Sequence, residues 1–247
     1  MAVVTAPMDI KKKVTVSWSG GKDAALALYK IKAQQFEVVS LHTLIDAETK
    51  RVGMHGVHEQ LIDMQAEQIG IPLEKLYMHR SGTQEEYQNT MEAYYRDCKC
   101  REIDGVVFGD IFLEDLKLYR ENLLAPFDLL AIYPLWKKET STLLSEFVSL
   151  GFKTMVCAVD ERCYSNNILG QTVDENFVNK LPNQTDPCGE NGEYHSFVYD
   201  GPFFEKAVQY RTGVQVEKKY SYGVVNNGKT VHRVSSFWFQ EIYLQMD

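Results

Sequence analysis

Val14-Thr15-Val16-Ser17-Trp18-Ser19-Gly20-Gly21-Lys22-Asp23-Ala24-Ala25-Leu26 is the stretch that decides the fold. The apolar run 14–18 reads as a buried strand, and Ser19-Gly20-Gly21 stops it. The alanine- and leucine-rich segment 22–34 then reads as a helix. A glycine turn between strand and helix lets backbone N–H groups approach an anion closely, and the positive end of the helix dipole adds to the attraction. Ser19 offers a hydroxyl and Lys22 a cation to the same oxygens. The spacing is not that of a Walker A loop, which needs Gly at 16 and Ser or Thr at 23, where this chain has Val16 and Asp23. The same residues also fit a plain tight turn with a surface lysine and aspartate at a helix start.

Outward from this stretch, apolar runs alternate with helical patterns. The runs cover 38–44, 73–78, 105–108, 129–132 and 154–159; the helical patterns cover 57–69, 83–101, 116–126 and 141–150. Val57, Leu61, Met64 and Ile69 keep close to helical spacing. Such alternation predicts an α/β fold with a parallel sheet covered by helices on both faces. Ligands of these sheets bind beyond the carboxyl ends of the strands, where the Gly-Gly turn lies. After about residue 160 the pattern changes to a polar loop, a short helix within 169–181, a turn-rich segment from Pro187 and an apolar-aromatic strand at 194–199. Asn227-Gly228 between the runs 214–225 and 230–244 is a hairpin signal. The expected organisation is an α/β domain over 1–158, which carries the glycine turn, and a smaller α+β domain over 159–247 ending in a β-hairpin.

The bulk numbers exclude several classes. The 247 residues are 45% hydrophobic and carry a net charge of −8, so a polyanion is repelled on average and nucleic acid is not the expected partner. No run of 18 apolar residues spans a membrane and no signal pattern opens the chain, which makes the cytoplasm the expected location. Five cysteines make no disulfide framework and read as reduced thiols. Cys98-Lys99-Cys100 is too closely spaced for a zinc knuckle and has no second pair.

Further segments carry chemistry: Phe108-Gly109-Asp110-Ile111, Leu118-Tyr119-Arg120-Glu121-Asn122, Tyr133-Pro134-Leu135-Trp136, Leu169-Gly170-Gln171-Thr172-Val173-Asp174, and Cys188-Gly189-Glu190-Asn191-Gly192-Glu193-Tyr194-His195-Ser196-Phe197-Val198-Tyr199-Asp200-Gly201-Pro202. Ser19–Asp23 resembles the PP-loop of the ATP pyrophosphatases, which split ATP into AMP and pyrophosphate. Together, in this order, the segments resemble the diphthine–ammonia ligase family of PP-loop enzymes in its shorter archaeal and bacterial form. The Gly-Glu-x-Gly-Glu-Tyr segment is the specific part. One departure is Ala24, where the family has serine.

The resemblance implies a HUP-like nucleotide-binding fold, ATP and Mg²⁺ as cofactors, and ATP-dependent amide ligation. A carboxylate, carried on a protein in the family, is adenylated with release of pyrophosphate, and ammonia or another amine then displaces AMP. Ser19, Gly20, Gly21, Lys22 and Asp23 are the expected cradle, with Gly109 and Asp110 at a neighbouring strand end. The adenine is expected against the end of the second strand, at the backbone near Leu41, His42 and Thr43, with Met54 and His55 closing over it. Asp23 and Asp110 are the candidate Mg²⁺ contacts; Asp23 equally fits a loop-shaping or helix-dipole role. Lys22, Asp23, Glu190, Glu193 and His195 form the candidate catalytic set, in which the acids bind Mg²⁺, orient ammonia or hold a cationic substrate. Two other readings stand beside it: a nucleotide-binding sensor without turnover, suggested by Ala24, and a tRNA-modifying PP-loop enzyme, which would use a cysteine pair and a basic face.

Overall fold

In the computed structural model, which describes residues 11–79, 83–163, 166–182, 184–226 and 229–245, the quoted stretch is strand β1 (Lys12–Ser17), a loop, and helix α1 (Lys22–Lys32). β2 (Phe36–Asp46), α2 (Glu59–Ile69), β3 (Leu73–Met78), α3 (Gln84–Cys100), β4 (Gly105–Val107), α4 (Glu114–Leu124) and β5 (Leu130–Ile132) follow in alternation. The strands form a parallel sheet in the order β3-β2-β1-β4-β5. The chain therefore builds outward from β1 to β3, then returns to β4 on the other side of β1. That reversal opens a crevice at the carboxyl ends of β1 and β4.

Strand periodicity divides the side chains between two helix layers. Val14, Val16 and Val107 pack with Leu28 of α1 and with Leu61 and Ile62 of α2. Val106 and the following Phe108 pack instead with Tyr94, Tyr95 and Cys98 of α3 and with Leu123 and Leu124 of α4. Helices thus cover both faces, as the alternation predicts.

The run 154–159 departs from expectation. It lies in β6 (Lys153–Asp160), reached through α5 (Thr140–Ser149), and belongs to a second sheet of order β7-β6-β9-β8. There it pairs antiparallel with both β7 (Tyr194–Asp200) and β9 (Lys229–Leu244). A central strand is buried on both faces whichever way its neighbours run, so an unbroken apolar run says nothing about direction. The second sheet therefore begins with β6 rather than after residue 158. Before β7 the expected 169–181 helix shortens to α6 (Glu175–Lys180), whose first turn is capped by Asp174 accepting the Phe177 N–H at 2.9 Å. β8 (Tyr210–Asn226) pairs with β9 as a long hairpin; its Asn227-Gly228 turn lies outside the described residues. Met155, Val156 and Phe197 of the second sheet share one core with Ala25 and Leu28, so that sheet packs over α1.

Candidate active site

β1 runs into Trp18, which is buried and donates from Nε1 to Gln65 Oε1 at 2.9 Å. Gln65 on α2 in turn donates to the carbonyls of Gly20, at 3.0 Å, and Val198. Gly20 adopts φ +78°, and a β-carbon there would meet Ile62 Cδ1 at 2.6 Å, so only glycine fits this bend. From the second sheet, the Val198 N–H donates to Gly20 O at 2.9 Å and Ser196 Oγ accepts the Lys22 N–H at 3.1 Å. Ser19 Oγ accepts the Gly21 N–H at 3.3 Å. Gly21 caps α1 without a side chain. The N–H of Ala24 has no acceptor among the described residues. Donors left open at a helix N-terminus make an anion site.

Lys22 is only 3% exposed. Its Nζ pairs with Asp23 Oδ2 at 2.8 Å, donates to the Cys188 carbonyl, and stands 4.9 Å from the Tyr194 ring centre. Burial alone would lower its pKa, but the attraction of Asp23 first, then Tyr194 and Cys188, outweighs it and raises the value. The ammonium therefore stays charged while desolvated, where its field is strongest.

Lys22, Asp23, Ser19, Gly109, Asp110, Arg120, Glu190, His55, His195 and Ser196 line one cleft of about 380 Å³. Glu190 Oε1 accepts the Ile111 N–H at 2.7 Å. Burial, and then the charges of Asp23 and Asp110, push its pKa up to about 7. Asp110 is buried; its Oδ1 meets Arg120 at 3.1 Å, while its Oδ2 has no partner among the described residues. Gly109 packs against the first turn of α1: a β-carbon there would lie 2.9 Å from the Asp23 carbonyl carbon and 3.0 Å from Ala24 N. The His55 and His195 rings are 4.9 Å apart. His55 Nδ1 contacts Ser196 O at 2.9 Å, and burial pushes its pKa down to about 4. Burial, reinforced by His55 and Lys22, holds His195 well below the usual histidine value. Both rings are neutral at pH 7. Beyond the ends of β2 and β3, and sharing Met54 with this cleft, lies a wider one of about 720 Å³ lined by Leu44, Ile45, Met78 and His79.

Sequence models of the diphthamide synthase N-terminal and C-terminal domains match residues 12–124 and 139–233, in that order. The chain belongs to the diphthine–ammonia ligase family. It is similar to proteins named diphthine–ammonia ligase from Danio rerio, 28% identical over 77% of this chain and 83% of that protein, and from Homo sapiens, 26% identical over 79% and 82%. The Schizosaccharomyces pombe protein of that name is 28% identical over 77% of this chain but only 34% of its own length. Among the described residues, no helix is long and apolar enough to cross a membrane.

The side chains of two residues expected at the site do not line the cleft. Glu193 is buried but does not line the cleft; its carboxylate accepts the N–H groups of Asp186 and Asn191 and the Asn191 side-chain amide. Its chemistry is spent on holding the 186–193 loop, because a buried carboxylate needs such donors. His42 is buried under α3, with Nδ1 3.1 Å from Thr15 Oγ1 and its ring 4.7 Å from that of Tyr94; burial pushes its pKa down to about 3. Alternation turns the His42 side chain to the α3 face, away from the crevice, whereas the expected adenine contact is with the backbone there. Cys98 is in the α3 core and Cys100 is exposed, and neither lines the cleft. Gln65, Ser196 and Arg120 were not singled out from the sequence. Gln65 gives no local signal, whereas Ser196 and Arg120 stand inside segments that carry the resemblance.

Mg²⁺ is implied by ATP use in this family. Among the described residues no three carboxylate, histidine or cysteine side chains are grouped to hold a metal unaided. Asp110 nevertheless keeps a buried oxygen without a partner, beside Asp23 and Glu190. A cation bound by one or two carboxylates together with phosphate oxygens suits that donor set.

Proposed function

We propose that the protein is an ATP-dependent amide ligase that adenylates a carboxylate carried on a protein, diphthine as in its named relatives, and passes it to ammonia. The observation that carries this reading is the α1 N-terminus, with the open N–H of Ala24 and a buried charged Lys22, in one cleft with Asp110, Glu190, Arg120 and His195. A carboxylate oxygen attacks the α-phosphorus of ATP and the bond to the bridging oxygen of the β-phosphate breaks. The departing pyrophosphate takes the electron pair into the Ser19–Lys22 cradle, whose amides and ammonium neutralise the charge that develops. Ammonia then attacks the acyl carbon, AMP leaves, and a proton from nitrogen goes to a base in the cleft, for which His195 is the candidate. Asp23 and Asp110 are the residues that would hold Mg²⁺, which would supply charge neutralisation.

The wider cleft at Leu44, Ile45, Met54 and Met78 suits the adenine, with its apolar walls at the ends of β2 and β3. This reading divides the chain ahead of α5 rather than at residue 158. The parallel sheet binds nucleotide and the second sheet completes the loop through Ser196 and Val198. The cytoplasm is the compartment that fits it.

The test is release of AMP and pyrophosphate from ATP, with Mg²⁺ and ammonium, offered diphthine-bearing elongation factor 2 and a panel of carboxylates. Acceptor-dependent AMP formation that Lys22→Ala abolishes is the expected result. Nucleotide binding without AMP from any acceptor would favour the sensor reading, which Ala24 in place of a hydroxyl supports.

A further inference from the structure

Arg120 brings into the cleft a second cation that the nucleotide loop does not use. It stands on α4, 22% exposed, with its guanidinium 4.3 Å from the centre of the Phe108 ring. A terminal amine meets Asp110 Oδ1 at 3.1 Å, while Nε is buried without a partner among the described residues. Asp110 Oδ2 is likewise buried and unpartnered. The pair is therefore single-pronged, although a guanidinium and a carboxylate can join through two parallel hydrogen bonds. A buried donor left open in this way is costly unless something fills it. Stacking on Phe108 and the bond to Asp110 fix the plane of the fork, and the side chain lines the cleft.

Lys22 cannot serve the same purpose, because Asp23, the Cys188 carbonyl and Tyr194 already engage its ammonium. The ligase reading demands a second cation all the same. An acceptor carboxylate must come up against a polyanionic triphosphate in a cleft that also holds Asp23, Asp110 and Glu190. Without a counter-charge of its own it is repelled.

The geometry points to Arg120 as the residue that binds the acceptor's carboxylate through the exposed part of its guanidinium and aims it at the α-phosphorus; this rests on the ligase reading above. One carboxylate oxygen stays held while the other attacks. Arginine rather than lysine suits the task, since a planar fork fixes orientation as well as charge.

The test compares wild type, Arg120→Lys and Arg120→Gln with diphthine-bearing elongation factor 2, ATP, Mg²⁺ and ammonium. KM for the acceptor and kcat are measured, ATP affinity is titrated separately without acceptor, and thermal unfolding checks the fold. Arg120→Lys keeps a charge for Asp110, so it remains informative if Arg120→Gln does not fold. The expected result is an acceptor KM raised about 10- to 100-fold in Arg120→Lys, and further in Arg120→Gln, with ATP affinity within about twofold of wild type. Weakened ATP affinity with an unchanged acceptor KM would make Arg120 an α-phosphate contact and overturn the proposal. No change in either would reduce it to a brace for Asp110. A wild type silent on this acceptor takes down the ligase reading and this proposal together; an active wild type with unaffected variants takes down this proposal alone.

Discussion

Ser196 Oγ accepts the backbone N–H of Lys22 at 3.1 Å, joining residues 174 positions apart in the chain. The first turn of α1 is thus finished by a hydroxyl from β7, in the second sheet, and not by its own sequence. Ser196 also holds His55 through its carbonyl. Ser196→Ala leaves a buried N–H open and frees the loop to shift. Loss of one such bond costs about 1–2 kcal/mol, so ATP affinity is expected to fall roughly 5- to 30-fold. Calorimetric titration with ATP measures this, and an unchanged affinity would show that the loop holds its shape without the second sheet.

Ala24 lines the cleft beside Asp23, at a position where the family has serine. A hydroxyl there adds a donor for a phosphate oxygen. A hydrogen bond to a charged group contributes about 1.5–3 kcal/mol, so Ala24→Ser is expected to tighten ATP binding by about tenfold or more. An affinity equal to wild type would mean that the hydroxyl has no phosphate within reach.

Much of this was legible from the sequence where a local rule applied. Strand, glycine turn and helix around Ser19–Asp23 follow from composition and period, and strand–helix alternation gives the parallel sheet. The direction of β6 was not legible, because a strand buried on both faces carries no mark of its neighbours. The fates of His42 and Glu193 depended on which face of a strand and which side of a loop each side chain takes. Within a loop rich in glycine, side-chain direction has no period to read. Gln65 ties together Trp18, Gly20 and Val198, three points brought close only by the completed fold.

Gly109 was expected as a nucleotide contact, and its geometry adds a packing role. A methyl group there would press on the Asp23 carbonyl carbon and Ala24 N, backbone atoms that cannot swing aside. Gly109→Ala is expected to cost about 1–3 kcal/mol and to weaken ATP binding by displacing the first turn of α1. Gly53→Ala, with nothing within 4 Å of the added carbon, serves as the control for stability and should leave it near wild type. Equal unfolding temperatures for the two variants would remove the packing argument.

Glu190 gives the fold a pH dependence whose sign is fixed by its surroundings. Burial first, then Asp23 and Asp110, lift its pKa from the ordinary 4.5 to about 7 in the folded protein. Between those values the folded state holds a proton that the unfolded chain has released. The associated stability is complete below about pH 4.5 and is lost as the pH rises through 7. Glu190→Gln stays neutral at every pH and can still accept the Ile111 N–H. With the carboxyl partly open to solvent, the difference is expected to be about 1–2 kcal/mol. The variant should match wild type near pH 4.5 and exceed it at pH 8, as followed by denaturant unfolding in Mg²⁺-free buffer. A constant gap across that range would mean that folding does not shift the Glu190 pKa. Mg²⁺ sharpens the comparison, since an ionised Glu190 beside Asp23 and Asp110 draws a cation: adding it should restore wild-type stability at pH 8 more than that of the variant.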